Sequence, residues 1–61
     1  MNTTVGLMDD QRLFLKTLGL FINSLSGFQV SLYASGPAEL LNLLSLIEEK
    51  PKILLINVDT S

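Results

Sequence analysis

No stretch constrains this chain more than Ile53-Leu54-Leu55-Ile56. The run is bounded by Pro51 before it and Asn57 after it, too short for a helix and apolar at every position, so it reads as a strand buried on both faces. A strand of that kind belongs to a parallel sheet with helices over both faces and a neighbour on either side. The elements before it must therefore build such a sheet. Because little chain follows it, a second neighbour is expected from outside the sequence.

The preceding residues supply the right pieces. Thr3 to Met8 (TTVGLM) is a short apolar-leaning run that stops at Asp9-Asp10, as a first strand would. From Gln11 to Leu25 the spacing of Phe14, Leu18, Phe21 and Leu25 is helical. Gly27 is placed to end that helix in the left-handed conformation. Phe28 to Ala34 (FQVSLYA) alternates as a second strand. In SGPAELLNLL, Pro37 suits the first turn of a second helix, and Glu39 complements the positive helix end. Pro51 bars continuation of that helix and turns Lys50 toward an extended conformation. A third strand then spans Lys52 to Val58. The order is β-α-β-α-β, one domain over residues 1–61, with a parallel sheet and right-handed crossovers.

Size sharpens the problem. A chain of about 60 residues buries only ~60% of the surface that its unfolded form exposes, and such chains usually need a disulfide, a metal or a partner. With no cysteine and no histidine, neither a disulfide nor a zinc-type cluster can form. Packing and association remain. The cations Arg12, Lys16, Lys50 and Lys52 are scattered and the net charge is −2, which speaks against nucleic-acid binding. No apolar run approaches the ~20 residues of a membrane span, and no basic region with a following apolar stretch marks a signal peptide. A cytoplasmic protein is expected.

Both helical segments are apolar over more than one face. Leu15, Leu18, Ile22 and Leu25 form a stripe beside the Phe14 stripe. In the second helix six residues, Leu40, Leu41, Leu43, Leu44, Leu46 and Ile47, leave a narrow polar line through Glu39, Asn42 and Glu49. A helix covering one sheet face needs one stripe. Some of these leucines can simply be exposed; the alternative is that they meet a second molecule, with Leu15 and Ile22 among the contacts.

Asp9 and Asp10 fall at the carboxyl end of the first strand, Asn57 and Asp59 at that of the third. Parallel strands open on the same side, where open α/β sheets place ligands. Oxygen donors of this type suit Mg²⁺. Equally, an Asp near a helix start caps it, and Asn or Asp after a strand is ordinary turn chemistry.

Three stretches together carry a resemblance. LMDDQRLFLKTL resembles the opening of a response-regulator receiver domain, where a strand ends in an acidic pair and a helix begins. GFQVSLYASGPAELLNLL resembles the second strand and helix of receivers attached to LuxR-class DNA-binding domains, and KPKILLINVDTS their third strand. The resemblance implies the first half of a flavodoxin-like receiver, with three parallel strands in the order 2-1-3. It implies that Asp9 and Asp10 match the acidic pair that holds Mg²⁺, that Asn57 stands at the phospho-acceptor position, and that Asp59 follows where the family lends a carbonyl to the metal.

Asn57 departs from the family in substance. A carboxylate can form an acyl phosphate; an amide is a poor nucleophile. The strands bearing the family's phosphoryl-reading hydroxyl and lysine have no counterpart here. The expectation is a non-enzymatic, phosphorylation-incompetent signalling module that contacts other signalling proteins and forms a homodimer through Ile53, Leu54, Leu55 and Ile56. Alternatively, the chain is the N-terminal part of a complete two-component response regulator. A phospho-acceptor that uses Asp59 in place of Asn57 ranks last.

Overall fold

β1 (Thr3–Met8) runs through the middle of the sheet, and its side chains feed two separate cores. In the computed structural model, which describes residues 2–57, it is followed by α1 (Arg12–Ser24), β2 (Phe28–Ala34), α2 (Pro37–Leu46) and β3 (Ile53–Ile56). Both neighbours pair with β1 in parallel, and the strand order is β2-β1-β3. The expected α/β architecture is therefore present, element for element. Val58 and Asp59, assigned to the third strand and its tip, lie outside the described residues.

Successive residues of a strand point to opposite faces, and β1 uses both. Val5 and Leu7 pack with Leu15 and Ile22 of α1 and with Val30. Met8 packs on the other side with Leu32, Ala34 and Leu40 of α2. The two helices thus cover opposite faces. Leu15 and Ile22, expected at an interface between copies, are instead buried in the chain's own core. Of the two stripes on α1, the one through Leu15 turns inward, and the one through Phe14 and Phe21 remains half exposed.

β2 departs from plain alternation. Val5 pairs with Val30 and Gly6 with Leu32, so the register steps over Ser31. This bulge splits the apolar set, sending Val30 toward α1 and Leu32 toward α2. It also turns Tyr33 onto the α1 side, where the ring lies against Gly19. A β-carbon at Gly19 would come within 2.5 Å of Tyr33 Cε1 and 2.8 Å of Cζ.

The helix ends follow local chemistry with two corrections. Gly27 does take a left-handed φ of 87°, but not as the cap of α1. It occupies the third position of a turn closed by Phe28 N–H donating to Leu25 C=O at 3.3 Å, where positive φ favours glycine. α2 begins with Pro37 in its first turn, as expected, and ends at Leu46 rather than running on toward Pro51. There Ile47 turns extended and packs on the second core, and Lys50 Nζ donates to the Ile47 carbonyl at 2.7 Å.

β3 is the exception to burial. All four of its side chains are exposed, from 39% at Ile53 to 49% at Ile56, because both helices pack over β1 and β2. The most apolar strand is an edge, with neither face closed.

Candidate functional site

The carboxyl ends of β1 and β3 meet, as their parallel pairing requires. Met8 pairs with Ile56, and Asn57 N–H donates to the Met8 carbonyl at 3.0 Å. This alignment brings the two side chains that follow, Asp9 and Asn57, into direct contact. Asn57 Nδ2 donates to Asp9 Oδ2 at 3.0 Å, and the Gln11 backbone N–H donates to Asp9 Oδ1 at 2.9 Å. Asp9 N–H in turn donates to the Ala34 carbonyl at 3.1 Å. One aspartate therefore ties together the ends of all three strands and the start of α1.

Asp9 is 2% exposed and is the one buried charged side chain among the described residues. Burial alone would raise its pKa. The Gln11 N–H first, and then the Asn57 amide, outweigh burial and hold the carboxyl below its ordinary value of 3.8. Asp9 is thus ionised at neutral pH. Since a carboxylate accepts only, Asn57 must present its NH₂ side to Asp9 and turn its Oδ1 away.

Asp10, the other half of the acidic pair, is exposed and stands outside this clasp. Asp59 lies outside the described residues. Among the described residues no group of three acidic or other metal-ligating side chains gathers. Each oxygen of Asp9 already accepts an N–H. Each oxygen keeps a second lone pair, so a Mg²⁺ ion, which takes one or two carboxylates and retains its waters, would share Asp9 with these two donors. As built, the tip satisfies a buried carboxylate with two donors, one of them the N–H of Gln11, the residue that precedes α1 and makes no side-chain cap of its own.

Below the clasp lies a cleft of about 210 Å³ lined by Met8, Asp9, Leu18, Leu55, Ile56 and Asn57. Its walls are apolar and its rim is the Asp9–Asn57 pair. Among the described residues its lining offers one carboxylate, Asp9, which accepts two N–H groups; the amide of Asn57 forms no acyl phosphate. A larger cleft of about 560 Å³ opens elsewhere, between α1 and the end of β2, with Arg12, Lys16, Tyr33 and Glu39 on its walls. No motif in the sequence marks it; the bulge that reorients Tyr33 is what shapes it.

Of the residues expected to form the site, Asp9 and Asn57 are joined directly and Asp10 is not. Among those expected at an interface, Ile53 to Ile56 are exposed and Leu15 and Ile22 are buried. No family model matches the chain, and no curated protein or solved structure matches it.

Proposed function

We propose that this chain is a non-catalytic, receiver-like signalling module that works in the cytoplasm by protein contact and self-association. The observation that carries the proposal is the clasp of Asn57 on Asp9. Where the resemblance calls for a carboxylate able to accept a phosphoryl group, an amide donates a hydrogen bond to the neighbouring acid instead. The site is closed by its own side chains. What stays open is β3, whose four half-exposed apolar residues end an otherwise ordinary parallel sheet.

The parallel sheet in the order β2-β1-β3 and the acidic β1 terminus support the receiver-like reading. Among the described residues no helix is long and apolar enough to cross a membrane, and the cations remain dispersed along the chain. Contact with other proteins is therefore the mode of action assigned here.

Intact-mass measurement after incubation with acetyl phosphate and Mg²⁺ tests the non-catalytic reading. The wild-type mass is expected to stay unchanged. Gain of one phosphoryl group, lost again in Asp59→Asn, would make the chain a phospho-acceptor and overturn the assignment.

A further inference from the structure

The sheet has two edges, and they are built differently. β2 is guarded. Its register breaks at Ser31, and Asn23 of α1 reaches across to accept the Val30 N–H through Oδ1 at 2.8 Å. A bulge twists an edge away from flat pairing, and a donor already taken is not available to a new strand. β3 carries neither device. Its four residues hold no charge, proline or glycine, and its pairing with β1 is regular from Ile53 to Ile56.

Resting on the contact-module reading, we infer that β3 pairs antiparallel with β3 of a second copy about a two-fold axis normal to the sheet, giving the strand order 2-1-3-3-1-2. The blocked edge selects this partner. A head-to-tail arrangement, β3 of one copy on β2 of the next, would repeat without closing and give filaments. The bulge and Asn23 close that route, and β3 on β3 is the pairing that uses only open edges.

The ladder fixes which groups of β3 face outward, and the proposed pairing is centred on Leu55. Asn57 N–H faces β1, and N–H groups of a strand alternate in direction, so Leu54 and Ile56 turn their own N–H and C=O groups outward. A two-fold normal to the sheet keeps each copy's α1 on the same face, so residues placed opposite each other share a face. Leu54 of one copy then exchanges hydrogen bonds with Ile56 of the other, and the two Leu55 residues meet across the axis in a non-hydrogen-bonded pair. Leu54 and Ile56 lie on the α2 side, with Gly6 and Met8, their partners on β1. Leu55 lies on the α1 side with Leu7. Directly opposite residues stand about 4.5–5.5 Å apart, so Leu54, Leu55 and Ile56 each gain an apolar neighbour on their own face, while Ile53 stands opposite Asn57 of the second copy.

The chain holds no cysteine, so a single introduced thiol can only cross-link two copies. A non-hydrogen-bonded antiparallel pair separates its Cα atoms by about 4.5 Å, within the ~4.4–6.8 Å that a disulfide spans. Leu55→Cys is expected to oxidise to a covalent dimer that keeps the wild-type circular dichroism, while Gln29→Cys on the guarded edge cross-links at least tenfold more slowly. Sedimentation equilibrium of the unsubstituted chain is expected to show a dimer that dissociates on dilution. A wild-type chain that is monomeric at every concentration overturns the pairing and gives β3 a different neighbour, such as another protein or further chain. Equal cross-linking at positions 29 and 55 also overturns it. The phosphodonor experiment is independent: a mass gain with the Leu55 cross-link intact sinks the non-catalytic reading and leaves the pairing standing.

Discussion

Leu40 is the one buried residue of α2, and its removal gives the sharpest test of how the second core is built. It is 6% exposed and meets Met8, Leu32 and Ala34. One position on, Leu41 is 68% exposed. Leu→Ala at a buried site costs about 2–5 kcal/mol, from lost transfer energy and the cavity left behind. At about 0.05–0.15 kcal/mol per residue, a chain of 61 residues has roughly 3–9 kcal/mol in all. Leu40→Ala therefore removes about a fifth or more of the total, a fall in Tm of at least about 8 °C at about 4–8 °C per kcal/mol. Leu41→Ala touches no core and is expected within about 0.5 kcal/mol of wild type. Urea unfolding followed at 222 nm measures both, and hydrogen exchange should show α2 amides losing protection before those of β1. If Leu40→Ala costs under 1 kcal/mol, or Leu41→Ala costs as much, α2 presents a different face to the sheet and the second core is wrong.

Three further outcomes follow from the geometry. Because the Asp9 pKa is lowered in the fold, its contribution is present above pH 3.8 and is lost as pH falls through the lower folded value; Asn57→Leu removes one donor, so an NMR titration should show the Asp9 pKa rising and acid unfolding beginning at higher pH. Gly27→Ala forces a side chain onto φ 87° and should cost about 1–2 kcal/mol in urea unfolding, despite open space around it. Gly19→Ala should leave stability within about 1 kcal/mol, helix propensity offsetting displacement of the Tyr33 ring, and should shift the emission of this sole tyrosine in a chain without tryptophan; in a Tyr33→Ala background the same change should stabilise by about 1 kcal/mol.

Local chemistry explains why the elements were legible and the assignment of faces was not. Pro37, Glu39 and the helical spacing from Phe14 to Leu25 act through the residues beside them, so the five elements could be read in order. The sheet order followed from a resemblance and agrees with the pairing observed. The Ser31 bulge left no trace, because FQVSLYA alternates well enough on paper while the register breaks in space. Two parallel stripes on α1 could not be ranked from spacing alone; the sheet buries the one through Leu15 and Ile22. The apolar run of β3 signalled burial, yet burial needs a covering element, and both helices stand over β1 and β2. At the site, Asp9 and Asn57 were placed together by parallel pairing. That the amide would lock the acid, and leave Asp10 outside, depended on the Met8–Ile56 register and was not written in either residue.

Among the described residues β3 is held by β1 alone, and this makes its order a property of concentration. Its attachments are the ladder, the Lys52 N–H on the Thr4 carbonyl at 3.0 Å, the Asn57 N–H on Met8, and the Asn57 clasp on Asp9. An edge strand with both faces wet loses little apolar burial when it frays, so in an isolated chain β3 should open before β1 and β2. Pairing with a second copy supplies a ladder on the other side, and anything that binds only the folded form stabilises it by RT ln(1 + [L]/Kd). At a hundredfold excess over Kd that term is about 2.7 kcal/mol, a large share of the roughly 3–9 kcal/mol of a chain this size. Thermal unfolding should therefore move to higher temperature as protein concentration rises, and β3 amides should gain the most protection. Asn57→Leu, which frees the carboxyl end of β3, should lower both the Tm and its dependence on concentration. A Tm independent of concentration, with β3 amides already as protected as those of β1, would mean that β1 alone suffices to order the edge and that the apolar run has no second copy to meet.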